Sequence, residues 1–222
     1  MGVANTARRN VRAGTRDRFG LLLLLLVGSF LALGVSGDRW GRVVAGVLQL
    51  GALAVAFLAT EVRVDHRWLG LLALCGITAV VLAALSGEIP NGLAEVAAVI
   101  VLGAVLVAVL DRVLRHRRVT LQTLYGAMCA YILIGLMFGS VYRALDELAD
   151  ASLFGEPVDV SVYSYFSFTT LTTLGFGDYT TVTDIGRRLT MLEAVMGQLF
   201  IATTLARLVS VYSTQAAQDR SP

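Results

Sequence analysis

Charged residues are scarce in this chain of 222 residues, at 15% of the sequence, and lysine is absent altogether. A soluble domain carries about 25% charged residues, so the composition excludes an ordinary water-exposed globule. The few charges fall in clusters between long apolar runs, and the mean hydropathy is +0.74. This pattern predicts a polytopic membrane protein.

Cysteine and histidine are equally rare, with two residues of each. Cys75 and Cys129 both lie inside apolar segments, where cysteine behaves as a small hydrophobe, so a disulfide framework is not expected. The apolar segments contain no His/Glu spacing typical of a metal site, no nucleophile–base pair and no paired acids. We therefore do not expect an enzyme. A net charge of +2 is also too small to suggest nucleic-acid binding.

Six apolar segments are each near the roughly 20 residues that a helix needs to cross a bilayer. They cover residues 20–36, 43–60, 68–85, 93–110, 121–142 and 188–212. A basic stretch precedes the first segment, as in a cleaved signal peptide, but no clear A-x-A site follows, and we interpret this segment as a retained span. The predicted fold is an all-α membrane protein with six transmembrane helices.

Arginine is concentrated before the first span and after the second and fourth spans. Cytoplasmic segments carry an excess of basic residues, so this bias predicts that both termini are cytoplasmic. The arginines of the N-terminal tail and of residues 111–118 are expected to face anionic lipid. The region between the fifth and sixth spans then lies on the outer side of the membrane.

Residues 172–178, with the sequence TTLGFGD, lie in that outer region. Gly175 and Gly177 can adopt backbone angles that other residues resist, so successive carbonyl oxygens of an extended segment can point to one axis. Rings of such carbonyls replace the water shell of a potassium ion in channel filters. Residues 161–171 are too short to span and predict a re-entrant helix that leads into this segment.

The TTLGFGD motif resembles the signature of the tetrameric potassium channel family. The resemblance covers residues 121–212, including the aromatic and Thr-rich run before the motif and Gly186-Arg187 after it. It implies a homotetramer of the prokaryotic type in the cell membrane, the bacterial inner membrane, with K+ as the permeant ion and no organic cofactor. The ion would be bound by a filter of four residues, namely Thr173, Leu174, Gly175 and Phe176.

The resemblance also implies a domain organisation, and it leaves two alternative functions open. We expect a basic N-terminal tail at residues 1–19, a four-helix bundle with its linker at 20–118, a pore domain at 119–214 and a short cytoplasmic tail at 215–222. One alternative is a voltage-gated potassium channel with a reduced sensor, and the other is a non-selective cation channel on the same scaffold. The unbroken Gly-Phe-Gly-Asp run favours potassium selectivity.

Residues around the motif are assigned supporting roles by the same resemblance. Filter support is expected from Thr169, Thr172, Gly177 and Asp178, with the Thr169 hydroxyl bracing Asp178 where some family members have a carboxylate. An aromatic cuff is expected from Tyr163, Tyr165, Phe166 and Phe168, and Leu174 and Phe176 are expected to wedge the filter against its surroundings.

The sixth span carries further candidate residues. Gly197 is either an inner-helix hinge or a small residue for close helix packing. Gln198, Ile201 and Leu205 share one helical face and are expected to line the cavity below the filter. Glu193 is an ionisable residue within a span, which makes it a functional candidate, either bracing the pore helix through Ser or Thr hydroxyls or solvated near the outer surface.

Two further patterns complete the sequence-based expectations. Gly135 and Gly139 form a G-x-x-x-G pair, expected to pack against the sixth span. The acids of the outer region form either a negative vestibule or a solvated loop; they are Asp146, Glu147, Asp150, Glu156, Asp159, Asp178 and Asp184.

The fourth span does not look like a voltage sensor. Residues 99–110 contain no arginine, and Arg112, Arg115 and Arg118 have the right spacing but follow the span. A charge must cross the field to gain about 2.3 kcal/mol per 100 mV. We therefore interpret these arginines as a juxtamembrane cluster and expect a channel that is not voltage-gated.

Overall fold

The structure, a computed structural model, describes residues 18–35, 39–60, 76–77, 91–115, 121–149 and 152–218. This part of the chain is helical and contains no strand. Its helices are α1 (Arg18–Val35), α2 (Arg39–Thr60), α3 (Asn91–Arg115), α4 (Leu121–Leu148), α5 (Val160–Leu171) and α6 (Asp184–Gln218). Residues 76–77 are also helical, and the rest of the predicted third span, including Cys75, lies outside the described residues.

Among the described helices, three are long and apolar enough to cross a membrane, over Gly92–Leu114, Leu121–Leu148 and Asp184–Ser210. The apolar parts of α1 and α2, Phe19–Gly34 and Val43–Ala56, are shorter. Apolar helices thus occupy the predicted first, second, fourth, fifth and sixth positions. The count of six spans stays a prediction.

The helices extend beyond the apolar segments that predicted them. α4 continues through Leu148 and carries Arg143, Asp146 and Glu147, which the sequence analysis had assigned to a loop. α6 has 35 residues, which corresponds to about 52 Å at 1.5 Å per residue, longer than the hydrocarbon core of about 30 Å. Hydropathy marks where side chains are apolar, whereas backbone hydrogen bonds decide where a helix ends. Both helices therefore continue past the predicted span ends at 142 and 188, and the span bounds themselves stay predictions.

α4 lies at the centre of the fold, because it contacts α1, α3, α5 and α6. α1 and α2 pack on each other, and α2 also contacts α3. The core is filled by fully buried aliphatic side chains from four helices, namely Leu22, Leu26, Leu102, Val105, Val109, Leu133 and Leu171. α4 therefore joins the N-terminal bundle to the segment that carries the motif.

α5 agrees closely with the short helix predicted at residues 161–171. Its 12 residues span about 18 Å, too little to cross a bilayer. One face is buried against α4, with Tyr163, Phe166 and Ser167 among its buried residues. The helix ends at Leu171, next to α6, and the chain then enters residues 172–178.

Candidate functional site

Backbone handedness alternates along the motif. Thr173, Gly175 and Gly177 have φ values of 60°, 49° and 78°, and Leu174 and Phe176 between them have negative φ. A chain that alternates in this way turns its N–H groups to one side and its C=O groups to the other. A Cβ on either glycine would meet nothing within 4 Å. Within one chain, the positive φ and not crowding is therefore what favours glycine here.

The first four N–H groups of the motif, those of residues 172–175, bond to α5. The amides of Leu174 and Gly175 both donate to the carbonyl oxygen of Thr169, at N···O distances of 2.9 and 3.1 Å. In the part of the chain that the structure describes, no hydrogen bond reaches the carbonyl oxygens of residues 173–176. One edge of the motif is thus anchored to the end of α5, and the other edge presents free carbonyl oxygens.

The threonine hydroxyls at the start of the motif bond locally. The Thr173 hydroxyl donates to the carbonyl oxygen of Thr172 at 2.6 Å, and the Thr172 hydroxyl donates to that of Phe168, also at 2.6 Å. A hydroxyl that donates its proton keeps lone pairs for another partner. The Thr173 oxygen therefore remains an available acceptor near the N-terminal end of the motif.

The apolar side chains of the motif are only partly covered. Leu174 is 61% exposed and Phe176 is 66% exposed. The Phe176 ring stacks on Tyr165, with ring centroids 6.5 Å apart and planes 8° from parallel. Within one chain, the Tyr165 ring supports Phe176, and the wedging role of Leu174 stays a prediction.

Asp178 is bound to α5, as expected, but through a different residue. The Tyr165 hydroxyl donates to Asp178 Oδ2 at 2.8 Å, and Asp178 Oδ1 accepts the amide of Tyr179 at 3.1 Å. The Thr169 hydroxyl instead donates to the carbonyl oxygen of Phe166 within its own helix, so the expected Thr169–Asp178 contact is wrong. The hydrogen bond that Tyr165 donates to Asp178 raises the pKa of Tyr165.

The aromatic residues of α5 divide between two environments. Tyr165 faces the motif, whereas Tyr163 and Phe166 are buried and contact Phe154 in edge or tilted geometry. Phe168 contacts Phe30 of α1, with ring centroids 4.6 Å apart. The predicted cuff is therefore wrong for three of its four members in this chain, because a helix this short must also bury a face against its own bundle.

The G-x-x-x-G pair packs against α5 and not against the sixth span. A Cβ on Gly135 would lie 2.7 to 2.9 Å from the ring of Phe168, and one on Gly139 would lie 3.2 Å from the backbone of Ser164. The pair does allow close approach of two helices, as its spacing predicts. The expected partner was wrong, since spacing alone does not identify the helix that fills the groove.

α6 presents one narrow face to the rest of the chain. Its buried residues up to Ser210 are Gly186, Glu193 and Gly197. A Cβ on Gly197 would lie 2.5 Å from the carbonyl oxygen of Leu171, and α6 continues unbroken past this position. Close packing is therefore a role of Gly197 in this structure, and the hinge stays a prediction.

The three predicted cavity residues share the open side of α6. Gln198, Ile201 and Leu205 are all exposed in the single chain, Ile201 at 45% and Leu205 at 60%. Among the residues that the structure describes, none buries these three side chains, so their role in lining a cavity stays a prediction.

Glu193 is completely buried where three helices meet. Tyr142 of α4 donates to its Oε2 at 2.7 Å, and the Ser167 hydroxyl of α5 lies 2.5 Å from its Oε1. The expected hydroxyl partner on the pore helix is thus present, and the solvated alternative is wrong. Sequence reasoning missed Tyr142, which lies 51 residues away along the chain, because a tyrosine inside an apolar span gives no sign of its partner.

Two of the predicted vestibule acids have partners inside the chain. Asp146 accepts hydrogen bonds from the amide of Leu153 and from the hydroxyl of Tyr163. Burial and this hydrogen bond raise the pKa of Tyr163. Glu147 pairs with Arg143, which is 4% exposed and also pairs with Glu95 of α3, with each N···O distance 2.7 Å.

Of the other five acids predicted to form the vestibule, four are exposed and one lies outside the described residues. Glu156, Asp159, Asp178 and Asp184 are exposed, and Asp150 lies outside the described residues. The vestibule and solvated-loop alternatives therefore stay open for the exposed four. For Asp146 and Glu147 the solvated-loop alternative is wrong, since both lie in helix α4 and pair with groups of their own chain, and the vestibule alternative stays a prediction.

The arginines that follow the fourth span continue its helix. α3 extends to Arg115 and includes Arg112, and residues 116–118 lie outside the described residues. Residues 99–110 of α3 form uninterrupted apolar helix without a basic residue. The structure therefore places no arginine in the central part of this helix.

A comparison with known families bears on this geometry. Residues 130–214 match a family model described as "Ion channel". The match covers less than half of the chain, and it contains most of α4 together with α5, the motif and nearly all of α6. No curated protein matches the chain.

The matched segment coincides with the part of the fold that carries the free carbonyl edge. It contains two of the three long apolar helices, and α5 and the motif lie between them. The match and the apolar helices together indicate that this chain is a membrane protein with ion channel activity, and that residues 130–214 contain its ion channel domain.

Proposed function

We propose that this protein is a homotetrameric potassium channel, in which Thr173, Leu174, Gly175 and Phe176 of four chains bind the permeant ion. The observation that carries the proposal is the free carbonyl edge of residues 173–176, opposite an N–H edge anchored to α5. Backbone carbonyls in this arrangement replace the water shell of potassium in channel filters. The chain conducts passively and performs no covalent chemistry.

Four copies are proposed because one edge of carbonyls supplies only one side of an ion's coordination shell. The exposed apolar surface supports the same assembly. Leu174 and Phe176 are mostly uncovered, and α6 exposes a run of large apolar side chains, namely Met191, Leu192, Val195, Leu199, Ile201, Leu205 and Val209. Because lipid is as apolar as these side chains, close packing between the helices of neighbouring copies, and not removal from water, stabilises such an assembly.

The electrostatics of the motif favour a cation. The C-terminal end of α5 lies at the inner end of the motif, and a helix C-terminus carries a partial negative charge of about half an electron. Asp178 holds the outer end to α5 through Tyr165. We propose that these contacts keep the carbonyls in place while the ion exchanges water for protein oxygens.

The inner part of the pathway is assigned to α6. Gln198, Ile201 and Leu205 line the cavity below the filter, and bending at Gly197 opens the inner gate. Their exposure on one side of α6 supports the lining role. A gate at this position acts on an unbroken helix of 35 residues.

The membrane setting follows from the arginine distribution. We propose that both termini are cytoplasmic, in a bacterial inner membrane, and that the arginines of residues 1–19 and 111–118 contact anionic lipid. Most of that N-terminal tail and residues 116–118 lie outside the described residues. The lack of arginine in the centre of α3 supports gating that does not depend on voltage.

Reversal potentials of the purified full chain in planar bilayers test the proposal. With potassium in excess on one side and sodium in excess on the other, and both ions present on each side, the reversal potential should lie near the potassium equilibrium value. Gly175→Ala should abolish selectivity or current, since a left-handed residue other than glycine costs about 1–2 kcal/mol. Gly20→Ala is the matched control, because its Cβ would also meet nothing within 4 Å but it lies in helix α1.

Three results would count against the proposal. Equal currents for sodium and potassium would favour the non-selective alternative. Steep voltage dependence would favour the alternative with a reduced sensor. A monomer in membranes, measured by single-molecule mass or subunit counting, would overturn the carbonyl filter itself, because one chain cannot surround an ion.

A further inference from the structure

Glu193 is a buried carboxyl group whose described contacts include no basic side chain. It is 0% exposed, and its hydrogen-bond partners are the hydroxyls of Tyr142 and Ser167. An ionised carboxylate without a cationic partner is costly to bury, and such a group tends to become neutral instead. The proton positions around Glu193 can be worked out from the oxygen atoms that surround it.

Ser167 has two oxygen neighbours and only one hydroxyl proton. Its Oγ lies 2.7 Å from the carbonyl oxygen of Gly135 and 2.5 Å from Glu193 Oε1. A carbonyl oxygen cannot donate, so the serine proton must satisfy Gly135. The proton between Ser167 and Glu193 must then come from the carboxyl group. If Glu193 were ionised, one of these two close O···O contacts would hold no proton.

Tyr142 completes the same directional chain of hydrogen bonds. Its hydroxyl lies 2.7 Å from Glu193 Oε2 and donates to it. A neutral carboxyl accepts at Oε2 and donates at Oε1, so every contact from Tyr142 through Glu193 and Ser167 to the Gly135 carbonyl holds one proton. We propose that Glu193 is uncharged and donates its proton to Ser167, which makes it a positioning residue that ties α6 to α5 and α4.

The hydrogen bond between Glu193 and Ser167 holds α5, the helix that leads into the motif. Ser167 lies four residues before Leu171, the last residue of α5, and the carbonyl oxygen of Thr169 between them accepts the amides of Leu174 and Gly175. Tyr131 of α4 donates to the Leu171 carbonyl oxygen at 3.0 Å, one turn further along α5. A shift of α5 would therefore move the carbonyl edge. This part of the inference rests on the proposed channel function.

Glutamine and leucine at position 193 separate a neutral from an ionised carboxyl. A glutamine can accept from Tyr142 with its oxygen and donate to Ser167 with its nitrogen, as the neutral acid does. Glu193→Gln should therefore keep potassium flux within about twofold of the wild type. Glu193→Leu should lower it by about tenfold or more, since the buried Tyr142 hydroxyl loses its acceptor and the Ser167 oxygen loses its donor. If Glu193 were ionised, glutamine would replace its charge-assisted hydrogen bonds with neutral ones about half as strong, and Glu193→Gln should then lower the flux.

Infrared difference spectroscopy of the reconstituted full chain reads the proton directly and independently of transport. At neutral pH the wild type should show the C=O stretch of a protonated carboxylic acid, and Glu193→Gln should lack it. Glu156→Gln is the matched control, since Glu156 is exposed, and it should keep the band. Ser167→Ala should shift the band toward a weaker hydrogen bond, which tests the donor direction even if Glu193→Leu does not fold.

The outcomes separate this inference from the proposed function. If the wild type lacks the band, or Glu193→Gln retains it, the neutral carboxyl is refuted whatever the flux. If Glu193→Gln loses flux as completely as Glu193→Leu, the positioning role through a neutral acid is refuted. A wild type that shows the band but carries no potassium would support the neutral Glu193 and overturn the channel proposal.

Discussion

Replacing Gly197 by alanine tests how closely α6 must approach the end of α5. The added Cβ would lie 2.5 Å from the carbonyl oxygen of Leu171 and 2.9 Å from Cδ1 of the same residue. That carbonyl belongs to the backbone of α5 and already accepts a hydrogen bond from Tyr131. It cannot rotate aside as the end of a flexible side chain would, so α6 must move away from α5.

The size of the effect follows from the distance. Ordinary contact begins at 3.4 Å, so α6 must retreat by about 0.9 Å. Overpacking of this kind costs about 1–3 kcal/mol, while alanine gains about 1 kcal/mol over glycine in a helix interior. Gly103→Ala in α3 gains the same helix propensity, and its nearest new contact is Met137 Sδ at 3.9 Å. The difference in stability between the two variants should therefore equal the overpacking cost alone.

Unfolding in detergent, followed by circular dichroism over a denaturant series, compares the two variants. Gly197→Ala should be less stable than Gly103→Ala by about 1–3 kcal/mol. Equal stability would refute the close-packing role, since the retreat of α6 would then cost nothing. If the two variants were equally stable and Gly197→Ala still closed the channel, bending at Gly197 would be its main role.

Three further substitutions have outcomes that the structure specifies. Tyr165→Phe removes the hydrogen bond to Asp178, worth about 1 kcal/mol, and we expect potassium current to decline faster during sustained opening. Arg143→Gln removes the buried guanidinium that pairs with both Glu95 and Glu147, and the loss should be about 3–5 kcal/mol of unfolding free energy. Arg112→Gln should leave the conductance–voltage curve unmoved, because this residue follows the central apolar part of α3.

Each of these outcomes has a control or a contradicting result. Tyr125→Phe, at an exposed tyrosine of α4, should leave the current unchanged, and an equal decline in both variants would count against the Asp178 contact. Adding Glu95→Gln to Arg143→Gln should recover part of the lost stability, and strict additivity would show that the pair is not coupled. A large voltage shift in Arg112→Gln would revive the reduced-sensor alternative.

Local features of the sequence determined the elements and the candidate site. Apolar segment length predicted where the described long helices lie, and the short run at 161–171 matched α5 closely. The two glycines of TTLGFGD predicted the left-handed positions found at Gly175 and Gly177. These inferences depend on single residues or on periodicity along one segment, which is information that the sequence carries locally. Thr173 shares the positive φ, and no residue preference would have predicted it.

The partners of the same residues were decided only by the tertiary structure. Gly135 of the glycine pair in α4 accommodates Phe168 of α5. Asp178 accepts a hydrogen bond from Tyr165 and not from Thr169. Glu193 of α6 accepts a hydrogen bond from Tyr142 of α4. A small residue in a helix indicates that another side chain or backbone packs closely against it, and a buried polar residue indicates that another group forms a hydrogen bond with it. Which helix does so depends on how all the helices pack at once. The sequence therefore determined which groups need partners, and the packing around α4 determined which partners they have.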